Sequence, residues 1–106
     1  MAAIPRKQQT TFNLTDTNIE TTEVYLGLGG TSVGFFAWIS FDASVSATVR
    51  VHLGPTADKT TVIPALDMVV TDAGPHTFDV ATRAKYMKLE IVSGGTFDAD
   101  VVISRN

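Results

Sequence analysis

Ser46–Leu53 reads SATVRVHL, and its alternation decides the fold. Ala47, Val49, Val51 and Leu53 fall on one side, Thr48, Arg50 and His52 on the other. Successive side chains of a strand point to opposite faces, so this is a strand with one dry and one wet face. Tyr86–Val92 repeats the pattern, setting Met87, Leu89 and Ile91 against Tyr86, Lys88 and Glu90. Thr96–Ser104 does so again, with Phe97, Ala99, Val101 and Ile103 opposite Thr96, Asp98, Asp100, Val102 and Ser104.

Outward from these segments the chain supplies turns and further short strands. Thr10–Leu14 and Glu23–Leu28 read as the first two strands, followed by a glycine cluster at Gly27, Gly29, Gly30 and Gly34. That cluster reads as a turn or bulged hairpin, because glycine tolerates positive φ. It lacks the Gly-Lys-Ser/Thr ending of a phosphate loop. Gly54–Lys59 is a loop by composition. Thr61–Val70 holds one or two strands interrupted by Pro64, which cannot donate to a ladder. Asp72-Ala73-Gly74-Pro75 is a turn, His76–Val80 a short strand, and Ser93-Gly94-Gly95 a tight hairpin turn into the last strand. The expectation is an all-β domain: a single antiparallel β-sandwich or jelly roll of about eight strands with no helix.

Two segments break the alternation. Val33–Phe41 (VGFFAWISF) is apolar on both faces, as a central strand or a strand buried in a subunit contact would be. Phe35, Ala37, Ile39 and Phe41 form its core face, which turns Phe36 and Trp38 outward. Aromatic side chains bring large, stiff apolar area to interfaces, so Phe36 and Trp38 are candidate oligomer contacts. A place for Trp38 in the core, or as a sugar-stacking platform, stays open at this point. The second segment, Met1–Gln9, is polar and aperiodic, and carries Arg6 and Lys7 ahead of the first acidic residue, Asp16. It reads as an extended arm, residues 1–9, preceding a sandwich of residues 10–106: either a frayed terminus, or an arm that orders against a neighbour or an acidic surface, with Ile4, Arg6 and Lys7 as its candidate binding residues. Met1 and the short Ser104-Arg105-Asn106 end favour a complete small protein.

Composition removes several classes of function. At 106 residues the chain is one domain. It has no cysteine, which excludes disulfides, thiolate nucleophiles and cysteine-based zinc sites. The net charge of −3 gives no ground for nucleic-acid binding. No apolar run is long enough to span a membrane, and the N-terminus lacks a signal-peptide pattern. Charged residues, at 18%, are sparse, which suggests that something else, such as a neighbouring subunit, covers some surface.

Catalytic and metal signals are weak. There are two histidines, His52 and His76, and neither stands in a motif with a nucleophile and an orienting carboxylate. Both read as surface residues. Asp98 and Asp100 share one face of a strand, where the solubilising role outweighs calcium binding or paired acid–base work. Arg83, Lys85 and Lys88 group around Tyr86 and read as a solvated or inter-subunit salt-bridging patch. No enzyme, no cofactor and no metal is expected.

The order SATVRVHLGPTADKT, VIPALDMVVTDAGPHTFDV and ATRAKYMKLEIVSGGTFDADVVI, from Ser46 to Ile103, resembles small β-sandwich structural proteins of tailed-bacteriophage virions. These include capsid decoration (cement) proteins and tail-associated modules. The resemblance covers a little over half of the chain and rests on patterns rather than signature residues. It implies a structural virion protein on the capsid surface, assembled in the host cytoplasm. Its partner would be the major capsid protein, and it would form a homo-oligomer, typically a trimer. Many symmetric copies would clamp the shell through individually modest contacts. Ala84-Lys85-Tyr86-Met87-Lys88-Leu89 is also similar to a strand of galactose-binding-like jelly rolls. That keeps a glycan-binding module in view, with Tyr25, Trp38 and Tyr86 as stacking candidates, beside a tail- or fibre-associated adhesin.

Overall fold

The computed structural model describes residues 9–26 and 34–105. Its strands are β1 (Gln9–Glu20), β2 (Val24–Tyr25), β3 (Gly34–Phe41), β4 (Ala47–Gly54), β5 (Thr61–Val62), β6 (Met68–Val70), β7 (Gly74–Ala81) and β8 (Tyr86–Arg105). They form an eight-stranded, wholly antiparallel sheet with the central order β5-β4-β8-β3-β7, while β1 and β2 pair with β8 and β6 pairs with β4. The expected all-β class is therefore what the chain adopts. Among the described residues the helical element is a 3-10 turn at Pro64–Leu66. Pro64 starts that turn, where its missing N–H costs nothing, and so separates β5 from β6.

The sheet curls because two long strands, β1 and β8, serve both of its halves. The first part of β1 pairs with the second part of β8, from Gln9↔Ser104 to Asp16↔Phe97, and that part of β8 also holds β3. The remainder of β1 pairs with the first part of β8, from Asn18↔Val92 to Glu20↔Glu90, and that part holds β4. Between them the register jumps, so that Thr17 alone faces residues 93–96. Surplus residues on one strand bend and twist a ladder, and here they fold the sheet over itself. The shortest dimension of the molecule, 19 Å, suits two layers about 10 Å apart with their side chains.

This bend corrects the sequence reading of Ser93-Gly94-Gly95. The chain does not reverse there; β8 runs through it. A two-residue hairpin turn needs positive φ, and neither Gly94 nor Gly95 has it. A Cβ on either glycine would meet open space, so neither packing nor a left-handed turn requires glycine there.

Both halves turn their apolar faces to a single core. Phe35, Ala37, Ile39 and Phe41 of β3 join Val49 and Val51 of β4 there. Met87, Leu89, Ile91, Phe97, Ala99, Val101 and Ile103 of β8 complete it. Phe41 meets Phe97 edge-on, with ring centroids 5.7 Å apart, and Phe35 meets Phe78 at 6.4 Å. Such aromatic pairs contribute about 0.5–1.5 kcal/mol beyond the area they bury. The alternating residues of Ser46–Leu53, Tyr86–Val92 and Thr96–Ser104 thus face as their spacing dictates. The first strand runs further than Thr10–Leu14, and takes in Gln9, while the second shrinks to Val24–Tyr25. β7 starts at Gly74, two residues before the expected His76, at the positive-φ glycine that ends the Asp72–Ala73 turn.

Candidate functional site

Three places on the outside of the sandwich gather side chains beyond what the core needs. The first is the outer face of the half built from β7, β3, β8 and β1. Trp38 stands opposite Thr77 of β7 and Val102 of β8, with Thr11 of β1 beyond. Phe36 occupies the next row, between Asp79 and Ser104, with Gln9 beyond. Register pairs share a face, so the two aromatics and Val102 form an apolar patch on a sheet surface. Both aromatics are half-buried. Their outward placement agrees with the sequence reading and removes the alternative of Trp38 in the core. β3 lies between β7 and β8, so it is a central strand rather than an edge.

The next row of that face is acidic. Asn13 donates its side-chain amide to Asp98 Oδ1 at 2.9 Å and to Asp100 Oδ1 at 2.8 Å. Both carboxylates are exposed, as expected. A shallow hollow of about 400 Å³ adjoins them, lined by Thr15, Asp42, Ala43, Thr96, Phe97 and Asp98.

The second place is the end of the molecule at Tyr25 and Tyr86. The two are register partners, and their rings tilt against each other with centroids 5.1 Å apart. Tyr25 is 41% exposed. An open, largely apolar groove of about 440 Å³ lies beside them, lined by Leu53, Gly54, Pro55, Arg83, Ala84 and Lys85. Gly54 is the cross-strand partner of Tyr86, which joins groove and rings into one surface. Below, Arg105 donates from its guanidinium to the Tyr25 carbonyl at 3.3 Å.

The third place is the outer face of the other half, and the sequence did not bring it together. Glu20 of β1 and Arg50 of β4 both lie opposite Glu90 of β8, while His52 lies opposite Lys88. His52 Nε2 is 3.0 Å from Glu90 Oε1, and Lys88 Nζ is 3.1 Å from Glu20 Oε1 and 3.9 Å from Glu23 Oε2. Arg50 turns to Asp67, at 3.6 Å. Two expectations change here. His52 is not a surface residue; it is 8% exposed, because it sits opposite Val62 of β5 on its other side. Lys88 does not join Arg83 and Lys85 in a basic patch but is enclosed by carboxylates. His76 stays at the surface, half-buried, with its ring edge-on to Phe41 at 6.3 Å and Nε2 2.9 Å from the Asp72 carbonyl.

Ile4, Arg6 and Lys7, the candidate arm residues, lie outside the described residues, as does most of the glycine cluster. No helix among the described residues is long and apolar enough to cross a membrane.

No protein-family model matches the chain, and no curated protein matches it. Among solved structures it is similar to the crystal structure of PirA, with a TM-score of 0.53 and 13% sequence identity over 93% of this chain and 94% of that one. A likeness at that identity speaks to architecture: an all-β, sandwich-like domain shared over nearly the full length of both chains.

Proposed function

We propose that this chain is a non-enzymatic structural protein of a tailed-phage virion, a capsid decoration protein that binds the shell and stabilises it. The supporting observation is the outward pair Phe36 and Trp38 on β3, flanked by Val102 on an open sheet face. Half-buried aromatics on a flat face favour covering by a protein surface, since burying the rest of each ring stabilises an assembly at little cost in side-chain entropy. In this reading the patch seals a homo-oligomer, a trimer in the simplest case. The segment with Ile4, Arg6 and Lys7 reaches to the major capsid protein. Neither nucleic acid nor membrane is a partner.

The test has two parts. Light scattering on a size-exclusion column gives the mass of the wild type and of the double variant Phe36→Ser/Trp38→Ser. Co-sedimentation with empty shells of major capsid protein then measures attachment. The reading expects an oligomeric wild type that sediments with shells, and a folded monomeric double variant. A monomeric wild type that stays in the supernatant would overturn it.

A second reading, a glycan-binding module, rests on the tyrosine end. Tyr25 on Tyr86, beside a groove with Arg83 and Lys85 at its rim, offers an aromatic face and hydrogen-bond donors within one surface. Tyr25→Ala separates the two readings. It would abolish retention on polysaccharide in this case and leave assembly untouched in the first.

A further inference from the structure

We propose that Glu20, His52 and Glu90 form a binding site for a divalent transition-metal ion, zinc foremost, on the outer face of the β1–β8–β4 half. One ligand atom from each residue lies within 4.8 Å of the other two. Each residue comes from a different, adjacent strand, and Glu20 and Glu90 are direct register partners. Donors fixed on neighbouring strands are held by the ladder itself, which is more rigid than a loop.

The donor set selects the ion. One imidazole nitrogen and two carboxylate oxygens suit zinc and its neighbours, whereas calcium and magnesium favour oxygen alone. Zinc bonds of about 2.0–2.2 Å need only a modest approach of the three donors, with water as a fourth ligand. His52 is the anchor. Its side chain is 10% exposed, and its Nε2 points at the carboxylates, already 3.0 Å from Glu90.

The charge around the site leaves room for a dication. Arg50 is engaged by Asp67, and the ammonium of Lys88 meets Glu20 and Glu23, so one lysine stands beside the three carboxylates of Glu20, Glu23 and Glu90. That leaves an excess of two negative charges, which a divalent ion neutralises. Lys88 is then a built-in competitor. It holds Glu20 in the absence of metal, and on binding it shifts to Glu23, 3.9 Å away. A metal so placed ties β1, β8 and β4 together across the sheet and stabilises the folded chain by mass action.

The experiment uses the full chain with zinc chloride and cobalt chloride alone. The wild type is expected to show a melting temperature that rises with zinc, and the visible absorption of cobalt in a low-symmetry, four-coordinate site. Glu20→Gln, an exposed change that leaves the core intact, should weaken binding by about tenfold or more. His52→Ala should abolish the cobalt spectrum, His76→Ala should leave it unchanged, and Lys88→Met should tighten binding. Absence of both signals in the wild type overturns the proposal. So does a Glu20→Gln variant that binds as the wild type does, or a signal lost with His76 instead of His52.

Discussion

The Ser93 hydroxyl is shared between the backbone carbonyls of Thr17, at 2.7 Å, and Gly95, at 2.5 Å, joining the two strands where neither can follow the regular ladder. Thr17 has no register partner of its own, and its N–H is taken by the Asp16 side chain at 2.7 Å. The Gly94 N–H reaches the Ser46 carbonyl at 3.2 Å. The bend that divides the sheet is thus held by a few side-chain and loop hydrogen bonds in place of a ladder. Ser93→Ala removes one of them and leaves the Thr17 carbonyl short of a donor. It should cost about 1 kcal/mol, read as a lower urea midpoint with unchanged slope. An unaltered midpoint would mean that the neighbouring ladder alone fixes the bend.

Gly54 and Gly94 should respond in opposite ways to alanine. A Cβ at Gly54 would sit 2.1 Å from the Lys59 carbonyl oxygen, so the β4–β5 connection must shift. Overpacking of that kind costs about 1–3 kcal/mol. Gly94 has neither positive φ nor a neighbour within 4 Å of a Cβ. Gly94→Ala should be neutral or raise stability by up to about 1 kcal/mol, through the unfolded chain. A hairpin turn at Gly94 would give the reverse, so thermal melts of the two variants also test the continuity of β8.

Thr21 links the end of β1 to β8 from inside the core. It is 5% exposed, its N–H donates to the Leu89 carbonyl at 2.8 Å, and its hydroxyl accepts the Leu89 N–H at 3.0 Å. Thr21→Val keeps the shape and strands that buried N–H. A loss of about 1–3 kcal/mol is expected, despite the gain in hydrophobicity. Faster amide exchange at Leu89 would locate the effect, and unchanged exchange would contradict it.

Asn13 keeps two aspartates apart from self-repulsion by donating to both. Asn13→Asp places a third carboxylate among Asp98 and Asp100, and like charges across a ladder destabilise it. The melting temperature should fall in low salt and recover most of the difference at about 1 M salt, where screening acts within a few ångströms. A salt-independent loss would point instead to altered packing of β1.

The periodic parts of the fold were legible from the sequence, and the parts that depend on register were not. Val49, Val51, Leu89, Ile91, Val101 and Ile103 face the core as their alternation requires, because period two is a local property of a strand. The outward turn of Phe36 and Trp38 followed from the same counting. Ser93-Gly94-Gly95 misled, because glycines mark both turns and bends, and only pairing with β1 on both sides of it tells them apart. The acidic cluster was hidden for a related reason. Glu20, His52 and Glu90 are far apart in the chain, and what brings them together is the alignment of three strands. Each was visible as a polar residue on a wet face; which ones meet was not. His52 carried one usable signal, a titratable side chain on a strand followed by the apolar Leu53 and the β5 hairpin that covers it.

β8 is the partner of β1, β2, β3 and β4, all of which precede it in the chain. During synthesis, then, among the described residues only the pairings β3–β7, β4–β5 and β4–β6 can form before residue 86 emerges. Until then Phe35, Ile39, Val49 and Val51 lack the surface they bury against, and β1 has no ladder at all. Assembly waits on β8. Until β8 emerges, a nascent chain of this kind is exposed to aggregation, and its core then closes as one event rather than progressively.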